Sequence, residues 1–244
     1  MAKILFPIKN GNVTQKFGES ADFYLKRFGI TGGHNGVDIV SFHGDSIYCP
    51  EDGTIVRTYD ISHGSVTAGF GIWLVGNPDE NNESNIWILW HTMSNLNCIE
   101  GQKVKQGDVL AYEGDSGSVY TGGVQVPDSK KGLPPYPGTH LHWGKIKAKR
   151  VLESSNQCLA NLQGVSYRDS DNYLYEIIDF NNGMRGCINP MDGNVISFNE
   201  WIDEKTVQTV QEAIPLIKQI TGVDQREAWY QFLLDFLKKL FERS

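Results

Sequence analysis

The chain has 244 residues, of which 40% are apolar, and this is enough for a hydrophobic core in one domain with or without an appendage. Its 22 Lys and Arg residues are outnumbered by 29 Asp and Glu residues, which gives a net charge of -7. This balance argues against a nucleic-acid partner and against adsorption on an anionic membrane, because both require a basic face. No segment approaches the roughly 18 apolar residues of a membrane span. The apolar run at the amino terminus is also too short for a secretory signal peptide.

Residues 1–118 are predicted to form short strands separated by turns. The segments 54–59, 71–75 and 86–90 are rich in β-branched and aromatic residues and are too short for helices. Turn pairs such as Asn10-Gly11 and Asp52-Gly53 separate segments of this kind. Their regular alternation predicts an antiparallel, all-β domain.

The segment 119–138 is rich in Gly and Pro and shows little apolar periodicity, which predicts a long loop. Strand character returns at 141–146. Further along, 172–180 has the pattern of a strand that enters a turn at 181–183.

The pattern becomes helical after about residue 190. Residues 205–220 have helical spacing, and Pro215 is expected to kink or divide that helix. Asp224 and Glu227 form a D-x-x-E capping pattern, and an apolar stripe at helical spacing follows from Trp229 to Leu240. Two interpretations of this last helix remain open. It packs on its own domain, or it docks onto another protein, a second copy or a larger assembly.

The four cysteines are widely spaced and form no C-x-x-C pair, which fits neither a thiolate zinc site nor a dense disulfide framework. We therefore expect buried free thiols, since free Cys commonly behaves as a small buried hydrophobe. These residues are Cys49, Cys98, Cys158 and Cys187.

Four of the six histidines occur in settings that suggest a site. His34 and Asp38 form an H-x-x-x-D, His91 ends an apolar strand, and His140 and His142 form an H-x-H. On a strand, the two members of an H-x-H point to the same side. Two neutral imidazoles buried together leave polar nitrogens unsatisfied, and a cation removes that cost.

Catalytic zinc normally takes three protein ligands and keeps a fourth position open. His34, Asp38 and one histidine of the H-x-H pair would supply such a set, and the other histidine would act nearby as an acid or a base. The absence of thiolates from this set favours a catalytic site over a closed structural one. His43 and His63 have no partner at a useful spacing, so we expect them at the surface or in supporting positions.

With these elements in this order, the sequence resembles the lysostaphin-like M23 family of zinc metallopeptidases, which cut peptidoglycan cross-links. The resemblance covers about residues 5–147. It implies a mainly β fold, an antiparallel β-sheet M23 peptidase domain with an open substrate groove. The helical pattern described above adds an α-helical C-terminal extension to this domain. The matching segments are 13–18, 33–39, 44–56, 89–94, 101–108, 114–117 and 138–143.

The family pattern implies a role for each matching site residue. His34, Asp38 and His142 correspond to the ligands of one zinc ion. His140 corresponds to the general base that activates water, and His91 to a second catalytic histidine that stabilises the oxyanion of the tetrahedral intermediate.

The chain departs from the family pattern in three places. The loop 119–138 lengthens the passage to the H-x-H, so we expect it to stand beside the groove. The segment 151–187 resembles a further insertion, and the helical end lies outside the family core. We therefore expect a peptidase domain at 1–198 and a helical extension at 199–244.

The resemblance implies a zinc-dependent endopeptidase that hydrolyses peptide bonds in the stem or cross-bridge peptides of bacterial peptidoglycan. Two other functions are open: a binding or regulatory module on the same fold, and a zinc peptidase that acts on another substrate such as a glycine-rich protein. All residues needed for catalysis are present, which favours an enzyme. Action on the cell wall implies an extracellular or periplasmic place of work. Without a signal peptide, the protein is expected to be phage-borne and endolysin-like, released by lysis, or trimmed of a leader.

Overall fold

This computed structural model describes residues 3–60, 67–154, 158, 168–221, 234–237 and 239. The chain divides into two compact units, Met1–Val195 and Ile196–Ser244. Strands dominate the first unit, and a long helix dominates the described part of the second. Nowhere in the described ranges is there a helix with both the length and the apolar character needed to cross a membrane.

Two α-helices have both ends within the described residues, α1 (Ala21–Phe28) and α2 (Phe198–Thr221). The described residues also contain fifteen strands, most of them short. The strands are β1 (Ile4–Leu5), β2 (Asn12–Gln15), β3 (Val37–Val40), β4 (Ser46–Tyr48), β5 (Gly53–Tyr59), β6 (Phe70–Gly76), β7 (Glu83–Thr92), β8 (Lys103–Val104), β9 (Val109–Tyr112), β10 (Tyr120–Thr121), β11 (Val124–Gln125), β12 (Leu141–Val151), β13 (Leu174–Ile177), β14 (Cys187–Ile188) and β15 (Val195–Ile196).

Nine of these strands form one sheet with the order β2-β3-β12-β7-β6-β5-β8, in which β13 and β14 also pair with β12. The 11-residue strand β12 is its centre. One edge of β12 pairs with β7, and the other edge pairs in turn with β3, β14 and β13. Every pairing in the sheet is antiparallel, so the predicted mainly β, antiparallel fold is confirmed.

Both faces of the central strands are buried, which explains their nearly continuous apolar sequences. In β7, Trp87 and Leu89 belong to one core cluster, whereas Ile86 and Ile88 belong to a second cluster on the opposite face. This is the period-two alternation of a strand. The strands predicted at 54–59, 71–75 and 86–90 correspond to β5, β6 and β7.

Helix α1 corrects the prediction that residues 1–118 contain only strands and turns. It has eight residues, and none of them is fully buried. An isolated helix of this length is marginal in water, so tertiary contacts decide whether it forms. Its side chains supply those contacts, since Tyr24 stacks on His34 and Phe23 packs edge-on against Tyr120.

The segment 119–138 is a long connection that contains a small hairpin of β10 and β11. Gly122 and Gly123 join these strands with φ of 57° and 79°, as a tight two-residue hairpin turn requires. A short 3-10 helix follows at Asp128–Lys130. In the segment 172–180, strand β13 forms at Leu174–Ile177 and is followed by turns.

The second unit begins its helix earlier than expected. Helix α2 starts at Phe198 rather than near residue 205, because Ser197 and Glu200 cap it reciprocally. It continues past Pro215 as one element, so Pro215 does not divide it. The predicted D-x-x-E cap at Asp224 lies outside the described residues, as does most of the apolar stripe 229–240; residues 234–237 and 239 are helical.

All four cysteines are buried and free, as predicted.

Candidate active site

The register of the sheet brings the predicted metal ligands together. His142 on β12 lies opposite Asp38 on β3 and opposite Trp90 on β7. The neighbours of His142 on β12, Leu141 and Trp143, point into the first core cluster. His142 therefore points to the other face of the sheet, by the same alternation that places Asp38 there.

His34 reaches the same point from the loop before β3. Backbone hydrogen bonds fix this loop: His34 N–H donates to Glu19 O (2.9 Å), and Gly18 N–H donates to His34 O (2.8 Å). Gly33 is needed at this crossing because its φ is 94° and a Cβ would lie 2.4 Å from Gly18 O.

Three donor atoms converge within a very small space. His34 Nε2 lies 2.9 Å from His142 Nδ1 and 3.1 Å from Asp38 Oδ1. His142 Nδ1 lies 3.2 Å from the same Asp38 oxygen. Both imidazoles are buried, and Asp38 is only 13% exposed.

Hydrogen bonds alone cannot satisfy this arrangement. If His34 Nε2 and His142 Nδ1 both carry a proton, two hydrogen-bond donors face each other. If only one of them carries a proton, the lone pair of the other nitrogen faces a lone pair of the Asp38 carboxylate. The outward nitrogens, His34 Nδ1 and His142 Nε2, have no hydrogen-bond partner among the described residues. A cation between the three atoms resolves the conflict. Ligand atoms held about 2.0–2.1 Å from one zinc ion at tetrahedral angles lie about 3.3–3.4 Å apart. The three separations here are a few tenths of an ångström shorter, so the donor set fits zinc once the side chains move slightly apart.

The protonation states favoured by the surroundings are those a metal site needs. Burial acts to raise the pKa of Asp38, but His140, His142 and His34 together hold it well below its ordinary value. Burial lowers the pKa of His142, against the opposing effect of its contact with Asp38. The carboxylate is therefore ionised and the His142 ring neutral near pH 7, as metal ligation requires.

His140 lies beside this cluster with one nitrogen uncommitted. Its Nδ1–H donates to Gly138 O at 2.7 Å, so in the neutral ring the proton is on Nδ1. Its Nε2 is 3.8 Å from Asp38 Oδ2. A bare, basic nitrogen therefore faces the donor cluster.

His91 enters the site through an irregularity in the sheet. The register of β6 and β7 shifts between Phe70↔Thr92 and Gly71↔Trp90, which leaves His91 without a partner. At this bulge, His91 adopts a left-handed φ of 67°. Its ring centroid lies 4.6 Å from that of His140, and its Nδ1–H donates to Ser116 O at 2.8 Å.

The surroundings keep the His91 ring neutral. Burial, followed by the nearby His140 and His142, lowers its pKa well below the ordinary value. With the Nδ1 proton held by Ser116 O, the neutral ring presents a bare Nε2. His91 must therefore gain a proton at Nε2 before it can donate a hydrogen bond to an oxyanion.

Several supporting residues were given no role from the sequence. The Tyr24 ring stacks on His34 with centroids 5.0 Å apart, and the Tyr24 hydroxyl donates to Gln15 Oε1. Burial and the nearby Asp38 raise the pKa of Tyr24, so the phenol stays protonated. Trp90 stacks on His142 at 5.3 Å. Long-range ring contacts of this kind leave no spacing pattern in the sequence.

Gly36 had a visible signal, because it lies inside the H-x-x-x-D motif. A Cβ at this position would lie 2.6 Å from Cε1 and 2.7 Å from Nε2 of His142. The ring of His142 thus packs directly against the backbone between His34 and Asp38.

Asp38 and His142 of the donor cluster line one cleft of about 670 Å³ together with His140 and His91, and the fully buried His34 lies behind its wall. Helix α1 contributes Tyr24 and Arg27 to its wall, and the hairpin contributes Tyr120. The long connection 119–138 thus stands beside the cleft. His43 stacks on Tyr136 of this connection with centroids 4.0 Å apart, whereas His63 lies outside the described residues.

Comparison with known families gives one match. The model of the family described as Peptidase family M23 matches residues 32–153, half of the chain. A comparison with curated protein sequences finds no match.

Three solved structures are among those that this chain matches. The catalytic domain of lysostaphin, an antimicrobial peptidase from Staphylococcus simulans, has 22% identity over 57% of this chain and 81% of that chain, with a TM-score of 0.38. LytU has 23% identity over 57% and 74%, with a TM-score of 0.40. A mutant catalytic domain of the prophage-encoded M23 protein EnpA from Enterococcus faecalis has 19% identity over 57% and 82%, with a TM-score of 0.38.

Proposed function

Because the chain belongs to peptidase family M23, we propose that it is a zinc-dependent endopeptidase that hydrolyses the stem or cross-bridge peptides of bacterial peptidoglycan. The observation that carries the proposal is the convergence of His34 Nε2, Asp38 Oδ1 and His142 Nδ1 within 3.2 Å of one another, with Asp38 and His142 in the wall of an open cleft. In this proposal, residues 1–198 form the peptidase domain and residues 199–244 form a helical extension.

His34, Asp38 and His142 hold the zinc ion in this proposal. When bound, zinc acts as a Lewis acid that activates water and polarises the carbonyl of the peptide bond. The neutral state of His142 and the ionised state of Asp38 support the assignment.

His140 is the general base. Its Nε2 is bare and faces the cluster, so it accepts a proton from the attacking water and passes it to the leaving amine. The Gly138 carbonyl fixes the tautomer and the ring orientation through the Nδ1 proton.

His91 is the second catalytic histidine. Its ring lies beside His140 in the wall of the open cleft, where its Nε2 takes up a proton from solvent, separate from the one that His140 passes to the amine. Once protonated there, the ring donates toward the oxygen that develops negative charge. The Ser116 carbonyl holds the other nitrogen and stabilises the charged ring.

The proposed roles are separated by measuring zinc content and cleavage in two variants. His140→Ala is expected to keep nearly one zinc per chain and to lose cleavage of purified peptidoglycan by at least about 100-fold, because only the base is removed. His142→Ala is expected to lose both zinc and cleavage. Full activity in His140→Ala, or stoichiometric zinc in His142→Ala, contradicts the assignment.

A further inference from the structure

One cation in the wall of the cleft is positioned by neutral partners only. Arg27 lies in the last turn of α1, where its Nε–H donates to the Tyr120 hydroxyl and its Nη2–H donates to Gln125 Oε1, both at 2.8 Å. Among the described residues, no carboxylate forms an ion pair with Arg27. The guanidinium is thus held in place without being neutralised.

The geometry of this side chain leaves most of its donors free. A guanidinium carries about five N–H donors in a planar fork, and two of them are engaged here. The remaining edge can bind both oxygens of a carboxylate, which is the partner that the fork matches best.

A second guanidinium lies at the same end of the helix. Arg185 also lines the cleft, and its Nη2–H donates to Phe28 O, the carbonyl next to Arg27 in the chain. It has no carboxylate partner among the described residues either. The nearest acidic residue in sequence that lines the cleft, Glu19, precedes the helix and accepts from Lys16 N–H. In a chain of net charge -7, this end of the cleft therefore concentrates positive charge.

The distance from this positive end to the donor cluster corresponds to a short length of peptide. Tyr24 stacks on His34, and Arg27 follows Tyr24 by three residues on the same helix face. Three residues of helix rise about 4.5 Å, whereas an extended peptide advances about 3.3 Å per residue. Because the Tyr24 ring lies a further 5.0 Å from the His34 ring, a peptide whose bond lies at the cluster brings a group a few residues away to Arg27.

We propose that Arg27, with Arg185 beside it, forms a carboxylate-binding subsite of this cleft. The substrate is then a peptide with a free carboxylate within a few residues of the cleaved bond, such as an acidic stem peptide, rather than a neutral oligoglycine. This inference rests on the proposed function for the direction of the peptide and the position of the bond. The aromatic rings of Phe23 and Tyr120, in edge contact at 5.3 Å, form the adjoining wall.

Binding tests the subsite without requiring cleavage. The probes are a fluorescently labelled peptidoglycan stem pentapeptide with free carboxylates and the same peptide with every carboxylate converted to a carboxamide. Anisotropy gives the Kd of each for the full chain carrying His140→Ala. In the test variant, Arg27→Gln is added to the same chain and removes the guanidinium. In the control variant, Lys26→Gln instead removes a neighbouring positive charge, on an exposed side chain that does not line the cleft.

The carboxylate peptide is expected to bind about tenfold more tightly than the carboxamide peptide, as charge-assisted hydrogen bonds of this kind provide. Arg27→Gln should reduce this ratio to near one, and Lys26→Gln should leave it unchanged. Equal Kd values for the two peptides, including no binding of either, overturn the inference, as does a preference that survives Arg27→Gln. Cleavage of the same peptides by the unmodified chain tests the proposed function separately, since binding preference does not depend on it.

Discussion

At the scale of single residues, the site depends on backbone conformations that side chains rarely adopt. His91 holds a left-handed φ of 67° at a bulge, at a cost of about 1–3 kcal/mol. The loops beside it approach so closely that a Cβ on Gly69 would lie 2.4 Å from Gly117 N. This contact positions the turn that carries Ser116 O, the acceptor of the His91 proton. The strained backbone at His91 thus orients its imidazole toward Ser116 O.

Gly36 provides a test of the metal site that changes no ligand. In Gly36→Ala, the new methyl group would overlap the ring of His142, so the ring must move away from Asp38 and His34. We expect the Kd for zinc to rise at least about tenfold, because a displaced ring no longer supplies its nitrogen. Competition with a chromophoric chelator measures this constant.

The matched control for that variant is Gly144→Ala on the same strand as His142. The three atoms nearest to its new methyl group would all belong to the side chain of Ile88, the closest at 3.2 Å. It should lower stability modestly and leave the affinity for zinc unchanged. Equal loss of zinc in both variants would show that general strain, rather than contact with His142, is responsible.

Glu113 predicts a pH dependence of stability that is separate from the site chemistry. Its side chain is buried, with one oxygen bonded to Ser41 N–H and the other without a partner among the described residues. Burial first, and Asp45 second, raise its pKa from 4.5 to about 8. The folded state therefore keeps a proton that the unfolded state releases between these values, and stability falls as pH rises through this window.

Glu113→Gln removes this titration. The difference in Tm, that of Glu113→Gln minus that of the unmodified chain, should be larger at pH 8.5 than at pH 5, by on the order of 5 °C. Scanning calorimetry at both pH values checks the difference, with Glu153→Gln, an exposed carboxylate, as the control. A difference in Tm that does not change with pH would contradict the prediction.

At the scale of elements, the sequence predicts most reliably what the core requires. Strands β5, β6 and β7 were predictable because apolar and β-branched residues fill both of their faces. Helix α1 was not predictable, since its tertiary contacts are with residues distant in the sequence and no side chain on it is fully buried. The early start of α2 had a local signal, the S-x-x-E at Ser197 and Glu200, which the helical spacing from residue 205 obscured.

The same contrast applies to the site. The H-x-x-x-D and H-x-H motifs are local, and the sheet register then joins them through the pairing of His142 with Asp38. The acceptors that fix the tautomers of His140 and His91 are backbone carbonyls of Gly138 and Ser116, which any sequence would supply. Only the folded chain identifies them.

The hairpin of β10 and β11 is predicted to control substrate preference with little effect on stability. Its four strand residues are exposed or half-buried, whereas the flanking Val119 and Val126 are buried. Replacing 120–125 with Gly-Ser, with both valines kept, should lower Tm by less than about 4 °C, since surface changes cost little. The ratio of kcat/KM between a stem peptide and an oligoglycine peptide should change at least about fivefold. A large fall in Tm would show that the hairpin stabilises the fold. An unchanged ratio would show that it does not select the substrate, and either result contradicts the prediction.

At the scale of the whole molecule, every residue of the proposed site lies in the unit Met1–Val195. That unit has its own core on both faces of the central sheet, and the cleft opens along one of them. The proposed activity therefore uses no residue of the helical unit Ile196–Ser244.

The central claim, a metal-dependent peptidase that acts on the cell wall, is tested most directly by mass spectrometry of the fragments released from purified peptidoglycan with and without a zinc chelator. The account predicts soluble fragments with new peptide termini, their disappearance with the chelator, and their return when zinc is added back. The termini identify the bond that is cut. Fragments that persist in a chelator which has removed the zinc, or no release from any of several wall types by the zinc-loaded chain, would contradict it.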